Sequence, residues 1–332
     1  MSKMLLVFIL VLSLVIALIP HVVWLIAWLI AKGTNHHLAY APFAWVAVGL
    51  VLLFWGNMAY GYFIGRWRAA VVGVTYTHTQ IPPSFDGFKL VQISDLHLST
   101  FDDNPRQLQR FVDSINAQNP DLICFTGDLV TIGRQEAEPY TSVLKGLKAK
   151  YGVVAVLGNH DFLIYHPTLA KDSLARMEAV GQLVEFECHT LGWTLLRDEH
   201  MVITHHDGSK ITLLGVDNKN CSNQGFRTVD MGDLKKAMAG TDGFRILLTH
   251  DPSHWQAEVQ GQTDIPLTLS GHTHAAQIRL FGWTPAAITF LHTDGRYDEG
   301  GQTLYINVGL GCTAPFRFGA NPEITVITLK SE

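Results

Sequence analysis

The hydrophobic pattern divides the chain in two. Residues 4–31 are apolar almost without interruption, broken only by Ser13, Pro20 and His21, and a second apolar stretch covers 38–65. Each exceeds the about 20 residues a bilayer crossing needs. The first also allows a leader, but its apolar core is far longer than the usual about 7–15 residues and no Ala-x-Ala site closes it, so two anchoring spans stand ahead of the alternative, a cleaved or uncleaved leader with a hydrophobic hairpin. The pattern predicts a two-helix membrane anchor over 1–68, with transmembrane helices at 4–31 and 38–65, and a second domain over 69–332. Lys3, Arg66 and Arg68 flank the spans while the link carries only Lys32, so the positive-inside bias predicts a cytoplasmic domain.

Past residue 68, short apolar runs alternate with amphipathic stretches. Strands are expected at 71–77, 89–94, 122–125 and 153–157. Asn104-Pro105 is a cap followed by Pro at the first helical position. Leu108, Phe111, Val112 and Ile115 then repeat at helical spacing, up to Asn119-Pro120. Further helices are expected near 140–150, 167–180 and 231–238. Strands at 193–196, 201–204 and 211–216 look like hairpins, and 246–249, 265–270, 303–308 and 324–329 complete the set. The class is α/β with two facing sheets and helices outside.

Composition narrows the function. The 332 residues carry a net charge of −5 and no basic run, which excludes nucleic acid as an expected partner. The four cysteines form no C-x-x-C pair and demand no disulfide; Cys124, inside a strand, is expected to be a small buried hydrophobe.

Five apolar runs end in metal-ligand residue types. They close on Asp95-Leu-His97, Gly127-Asp128, Gly158-Asn159-His160-Asp161, His250-Asp251 and Gly271-His272-Thr-His274. Strand alternation predicts that Asp95 and His97 share one side of an extended chain. Carboxylate, amide and imidazole ligands without thiolate suit Mn, Fe or Zn.

The order of these blocks resembles the calcineurin-like metallophosphoesterase superfamily over roughly residues 89–329. The resemblance implies a four-layer α/β/β/α sandwich and a hydrolase with two divalent metal ions, Mn2+ above Fe or Zn. By the same resemblance, Asp95, His97 and His274 would hold one ion, Asn159, His250 and His272 the other, and Asp128 would bridge them. Water activated by the metal pair would attack phosphorus, and His160 would donate a proton to the leaving oxygen or stabilise the charge developing there. In the protein-phosphatase branch an acid three positions after the Gly-Asp aspartate supports that histidine. Here the position is Thr131, which argues against a protein phosphatase and leaves Asp161 or Asp251 to support His160.

The closing run 307–324 looks like the end of the membrane-anchored bacterial branch. Arg317 in it either contacts a substrate phosphate or pairs with Glu323. Segment 277–291 is apolar for a loop beside a metal site; it is either core, or dips into a bilayer or lines an acyl-chain groove. The expected protein sits in the bacterial inner membrane, multi-pass, and hydrolyses a phosphoester or pyrophosphate bond in a lipid-linked substrate such as UDP-2,3-diacylglucosamine. The alternatives are a phosphodiesterase or phosphatase of cell-envelope polymers or nucleotides and, outside enzymes, a metal-binding scaffold.

Overall fold

The computed structural model describes residues 3–34 and 36–332; Met1, Ser2 and Asn35, which belong to the expected anchor, lie outside the described residues. Two helices come first, α1 (Lys3–Gly33) and α2 (Ala41–Phe63). They form a hairpin in which Trp55 Nε1 donates to Ser13 Oγ at 3.0 Å. Both are long and apolar enough, by length and composition, to cross a bilayer. Neither shows a narrow apolar stripe: Trp45, Leu52 and Phe63 of α2 stand in the open, 73%, 68% and 70% exposed. A helix apolar all round fits lipid better than a water-facing surface.

The end of α2 is fused to the α/β domain. A side chain at Gly65 would collide with the Arg317 carbonyl, so only glycine allows this approach. Arg66 is buried and donates to Tyr62 O, to Thr100 O and to Asp102 Oδ2, at 2.8, 2.9 and 2.5 Å. Of the two arginines after the second span, Arg66 is therefore spent on the domain, and Arg68 alone stays exposed.

Two six-stranded sheets make up that domain. The first runs β1 (Ala70–His78), β12 (Glu323–Ser331), β2 (Lys89–Ile93), β3 (Leu122–Phe125), β4 (Val153–Ala155), β5 (Thr194–Leu195). The second runs β10 (Gly295–Glu299), β11 (Gln302–Ile306), β9 (Leu267–Ser270), β8 (Arg245–Leu248), β7 (Lys210–Gly215), β6 (Glu199–Thr204). Within each, the four strands β2–β5 and β11, β9, β8, β7 are parallel. Leu90, Leu122 and Val154 of one sheet meet Leu213, Ile246 and Leu269 of the other. The outer face of the first sheet is covered by α3 (Pro105–Asn116), α4 (Thr141–Leu144) and α5 (Ser173–Glu185), and that of the second by α6 (Leu234–Met238) and Trp255. These are the four layers α/β/β/α, and their parallel strands end on one edge, where α/β proteins place ligands.

Several elements depart from the sequence reading for visible reasons. The helix expected at 140–150 stops at Leu144. Asn116 of α3 takes its next backbone groups, donating to Gly146 O at 2.7 Å and accepting from Lys148 N at 2.9 Å. Helix α5 starts late because Asp172 caps it, accepting from the Leu174 and Ala175 amides at 3.1 and 3.0 Å. Strand β5 is no hairpin partner of β6: it pairs in parallel with β4, so the chain changes sheet after it. Strand β10 went unread because an edge strand with Arg296, Asp298 and Glu299 shows no apolar alternation.

Candidate metal centre

All five blocks converge at the shared strand edge, though not by strand alternation. The chain leaves β2 at Ile93, and Asp95 and His97 turn inward with left-handed φ of 52° and 41°. Asp128, His272 and His274 do likewise, at 60°, 75° and 50°. Non-glycine residues avoid this region, and such strain persists only where the surroundings over-determine it. Here they do: Asp95 N donates to Gly127 O at 2.8 Å, His97 N to Asp128 O at 3.1 Å, and Gly271 N to His250 O at 2.9 Å. A Cβ at Gly158 would fall onto the Asp128 carboxylate, which explains glycine before that block.

The buried side chains form two groups. In one, His97 Nε2 and His274 Nε2 are 3.0 Å apart, with Asp95 Oδ1 3.3 Å from His274 Nε2. In the other, His250 Nε2 and His272 Nδ1 are 3.1 Å apart. Asp128 lies between them, its Oδ2 3.5 Å from His97 Nε2 and 3.2 Å from His250 Nε2. Nitrogens about 3 Å apart match adjacent corners around an ion with bonds of about 2.1 Å.

The charges favour a cation. Burial first, then the nearby His160, brings His97 down to about 3, and burial brings His272 down to about 4. Burial drives His274 well below its usual value, helped by His97 and the Arg317 guanidinium. These imidazoles are neutral at pH 7 and keep lone pairs free. His250 is the reverse: burial opposes its charge, but Asp128 outweighs it and raises His250 to about 10. Asp128 is held well below the carboxylate range despite its burial, by His250 and then His160. A proton on His250 thus stands where a cation would serve.

Asn159 adds an independent sign. Its amide nitrogen donates to Tyr165 Oη at 3.4 Å, while its Oδ1 is buried and finds no partner on the chain. A buried carbonyl without a donor carries a large desolvation cost. A metal ion at that point removes it, so the residues present fit a metal pair.

The supporting residues depart from expectation. His160 rests on neither Asp161 nor Asp251; its Nδ1 bonds the Thr131 main-chain carbonyl at 2.8 Å. The residue type at 131 is irrelevant to a bond made by the backbone. Asp161 instead collects the amides of Asp128, Gly158 and Val130 at 2.7, 2.9 and 3.2 Å, tying two ligand loops together. Burial, then the charge of Asp128, pushes it up to about 7. Asp251 accepts from Gln224 Nε2 at 2.5 Å, and Gln224 Oε1 accepts from His272 Nε2 at 2.8 Å. That relay fixes the His272 tautomer with Nδ1 toward the centre.

Neither reading of Arg317 survives. It is fully buried and donates to the carbonyls of Val308, Gly311 and Ala320 at 2.8, 2.5 and 3.1 Å. Glu323 is engaged with Tyr305 Oη and Thr325 Oγ1, both at 2.7 Å. Arg317 is walled off from substrate and lies 3.1 Å from His274 Nδ1. Tyr165 and Gln224 had no signal in the sequence: each is a single polar residue in an unpatterned loop.

The centre opens into a cleft of about 500 Å³ lined by His160, His272 and His274 together with the apolar Phe226, Ala286 and Phe290.

Sequence comparison finds the model of calcineurin-like phosphoesterases matching residues 88–276. The metallophosphoesterase YkuE of Bacillus subtilis is 35% identical over 283 residues, which cover 82% of this chain and 90% of that protein. A transmembrane protein with metallophosphoesterase domain from Danio rerio is 33% identical over 273 residues, covering 78% of this chain but 57% of that relative's length. Among solved structures, a dimetal phosphatase from Danio rerio overlays with a TM-score of 0.38 at 13% identity, covering 70% of this chain and 94% of that one.

Proposed function

Because the chain belongs to the calcineurin-like phosphoesterase family and is a metal-dependent phosphoester hydrolase, we propose that its two ligand groups hold a metal pair serving a lipid-linked, phosphate-containing substrate. Asp95, His97 and His274 would hold one ion, Asn159, His250 and His272 the other, and Asp128 would serve both. The observation that carries this is the placement of Asp128 Oδ2 between two imidazole pairs. The hard oxygen and imidazole donors suit Mn2+. When bound, such a pair supplies an activated water and offsets charge on the phosphoryl oxygens.

The chain's own residues do the rest. The Thr131 carbonyl holds His160 by Nδ1–H, which leaves Nε2 for the cleft that His160 lines. From there a protonated imidazole gives its proton to the leaving oxygen. Asp161 keeps the Asp128 and Asn159 loops in register. The apolar lining of the cleft excludes water and receives a hydrophobic portion of the substrate.

Helices α1 and α2 anchor the protein as a multi-pass protein of the bacterial inner membrane, with the catalytic domain cytoplasmic. A substrate such as UDP-2,3-diacylglucosamine fits that placement. The test is hydrolysis by the detergent-solubilised full chain with Mn2+, on UDP-2,3-diacylglucosamine and on a soluble aryl phosphodiester, beside Asp128→Ala and His160→Ala. UMP release lost in both variants supports the lipid pyrophosphate reading. Diester cleavage alone transfers the mechanism to a cell-envelope or nucleotide substrate. Folded protein that binds no metal and turns over neither compound would be a scaffold.

A further inference from the structure

Between His274 and β10 the surface is unlike that of a water-facing enzyme. No charged residue occurs from Leu280 to Thr293. Phe281 is fully exposed, and Ile288 and Leu291 are 80% and 70% exposed. This is not a floppy loop. Leu280 and Trp283 exchange backbone hydrogen bonds of 2.8 and 2.9 Å, so Phe281 and Gly282 form the corner of a two-residue turn. Both take left-handed φ, 51° and 84°. A turn of this kind favours Asn-Gly; a phenylalanine there combines backbone strain with a ring in the open. Arg279 and Asp294 pair across the base of the finger.

Its position supplies the occupant. Arg279 N donates to Phe318 O at 2.8 Å, and the Phe318 ring lies 6.0 Å from that of Tyr60 in the last turn of α2. At the other end, the Phe290 ring is 5.5 Å from that of His272. The finger thus stands between the end of α2 and the mouth of the cleft.

We propose that residues 280–291 form a finger inserted into the same bilayer that holds α1 and α2, and that lipid chains of the substrate reach the cleft along Ile288, Phe290 and Leu291. The inference rests on the membrane-anchored reading above. Phe281 and Trp283 occupy the acyl boundary, where aromatic rings are favoured, and the Arg279–Asp294 pair stays among the headgroups.

The test uses the full chain reconstituted in phosphatidylcholine–phosphatidylglycerol vesicles. An environment-sensitive nitrobenzoxadiazole label is placed at Phe281→Cys, at Leu52→Cys in α2 and at Leu174→Cys in α5, each in a Cys188→Ser, Cys221→Ser background. Doxyl-labelled lipid should quench the labels at 281 and 52 alike and leave the one at 174 bright. Quenching at 52 without quenching at 281 overturns the finger and leaves the anchor standing, as a protein-binding loop would. No quenching at 52 removes the anchor, and the inference with it. In parallel, Phe281→Ser with Trp283→Ser should leave turnover of a soluble aryl phosphodiester unchanged and slow that of a long-chain diester in vesicles by about tenfold or more. Equal turnover of the vesicle substrate by both proteins would sink the proposal.

Discussion

The metal centre and the finger invert the usual rule in opposite senses. At the centre, Asp95, His97, Asn159, His250 and their neighbours are polar and buried; in the finger, Phe281, Ile288 and Leu291 are apolar and open. Left-handed backbone at non-glycine residues marks both, five times among the ligand residues and once at Phe281. The contrast lies in what holds each in place. The centre is locked by main-chain bonds and by Asp161, Gln224 and the Thr131 carbonyl; the finger tip is held by its own turn. Polarity buried inside a fold and apolarity standing outside it each need a partner, and the proposals above assign a cation to the first and a lipid to the second.

The largest effect should come from the group between the two clusters. Asp128→Ala should lower hydrolysis about a thousandfold or more, with metal content falling below that of the wild type by elemental analysis. Retained activity would break the two-cluster reading of the centre. His160→Ala should lower kcat about a hundredfold or more while metal content stays whole. The loss should shrink for substrates with a good leaving group, which need less protonation.

Gln224→Ala sharpens the role of support. Without the relay to Asp251, His272 is free to take the other tautomer, and metal affinity should fall about tenfold to a hundredfold. Calorimetric titration would show it, with kcat near normal at saturating metal. A loss of kcat with unchanged affinity would place Gln224 on the substrate instead.

Metal uptake should also depend on pH. His250 is raised to about 10, so at pH 7 to 9 it must shed a proton to bind an ion. Affinity should therefore rise about tenfold per pH unit in that window and level off only above about pH 10. Below about pH 6, where burial leaves Asp95 protonated, the dependence should steepen. Titration in two buffers of different ionisation enthalpy counts the protons released; a count of zero at pH 8 would contradict the paired state of His250 and Asp128.

The smallest effect belongs to the finger. Phe281→Asn should stabilise the detergent-solubilised chain by about 1 kcal/mol or less, because Asn tolerates left-handed backbone. The denaturant midpoint reads it. A marked loss of stability would show that Phe281 packs in the fold.

Much of this molecule is legible along the chain. Apolar runs ending in Gly-Asp or Gly-His-x-His name their strands and their ligand residue types at once, because burying a strand and exposing its end are both local demands. The apolar spans 4–31 and 38–65 foretell α1 and α2 within a few residues at each end, since a helix without any polar face needs no partner to be recognised. Tertiary structure decided what depends on residues far apart in sequence. Asn116 ended a helix it does not belong to. A main-chain carbonyl, which every residue carries, took the supporting role sought among acids. Gln224 met His272 across 48 positions. Arg317 became buried because the chain closed over it, donating its hydrogens to carbonyls that no side-chain pattern can announce.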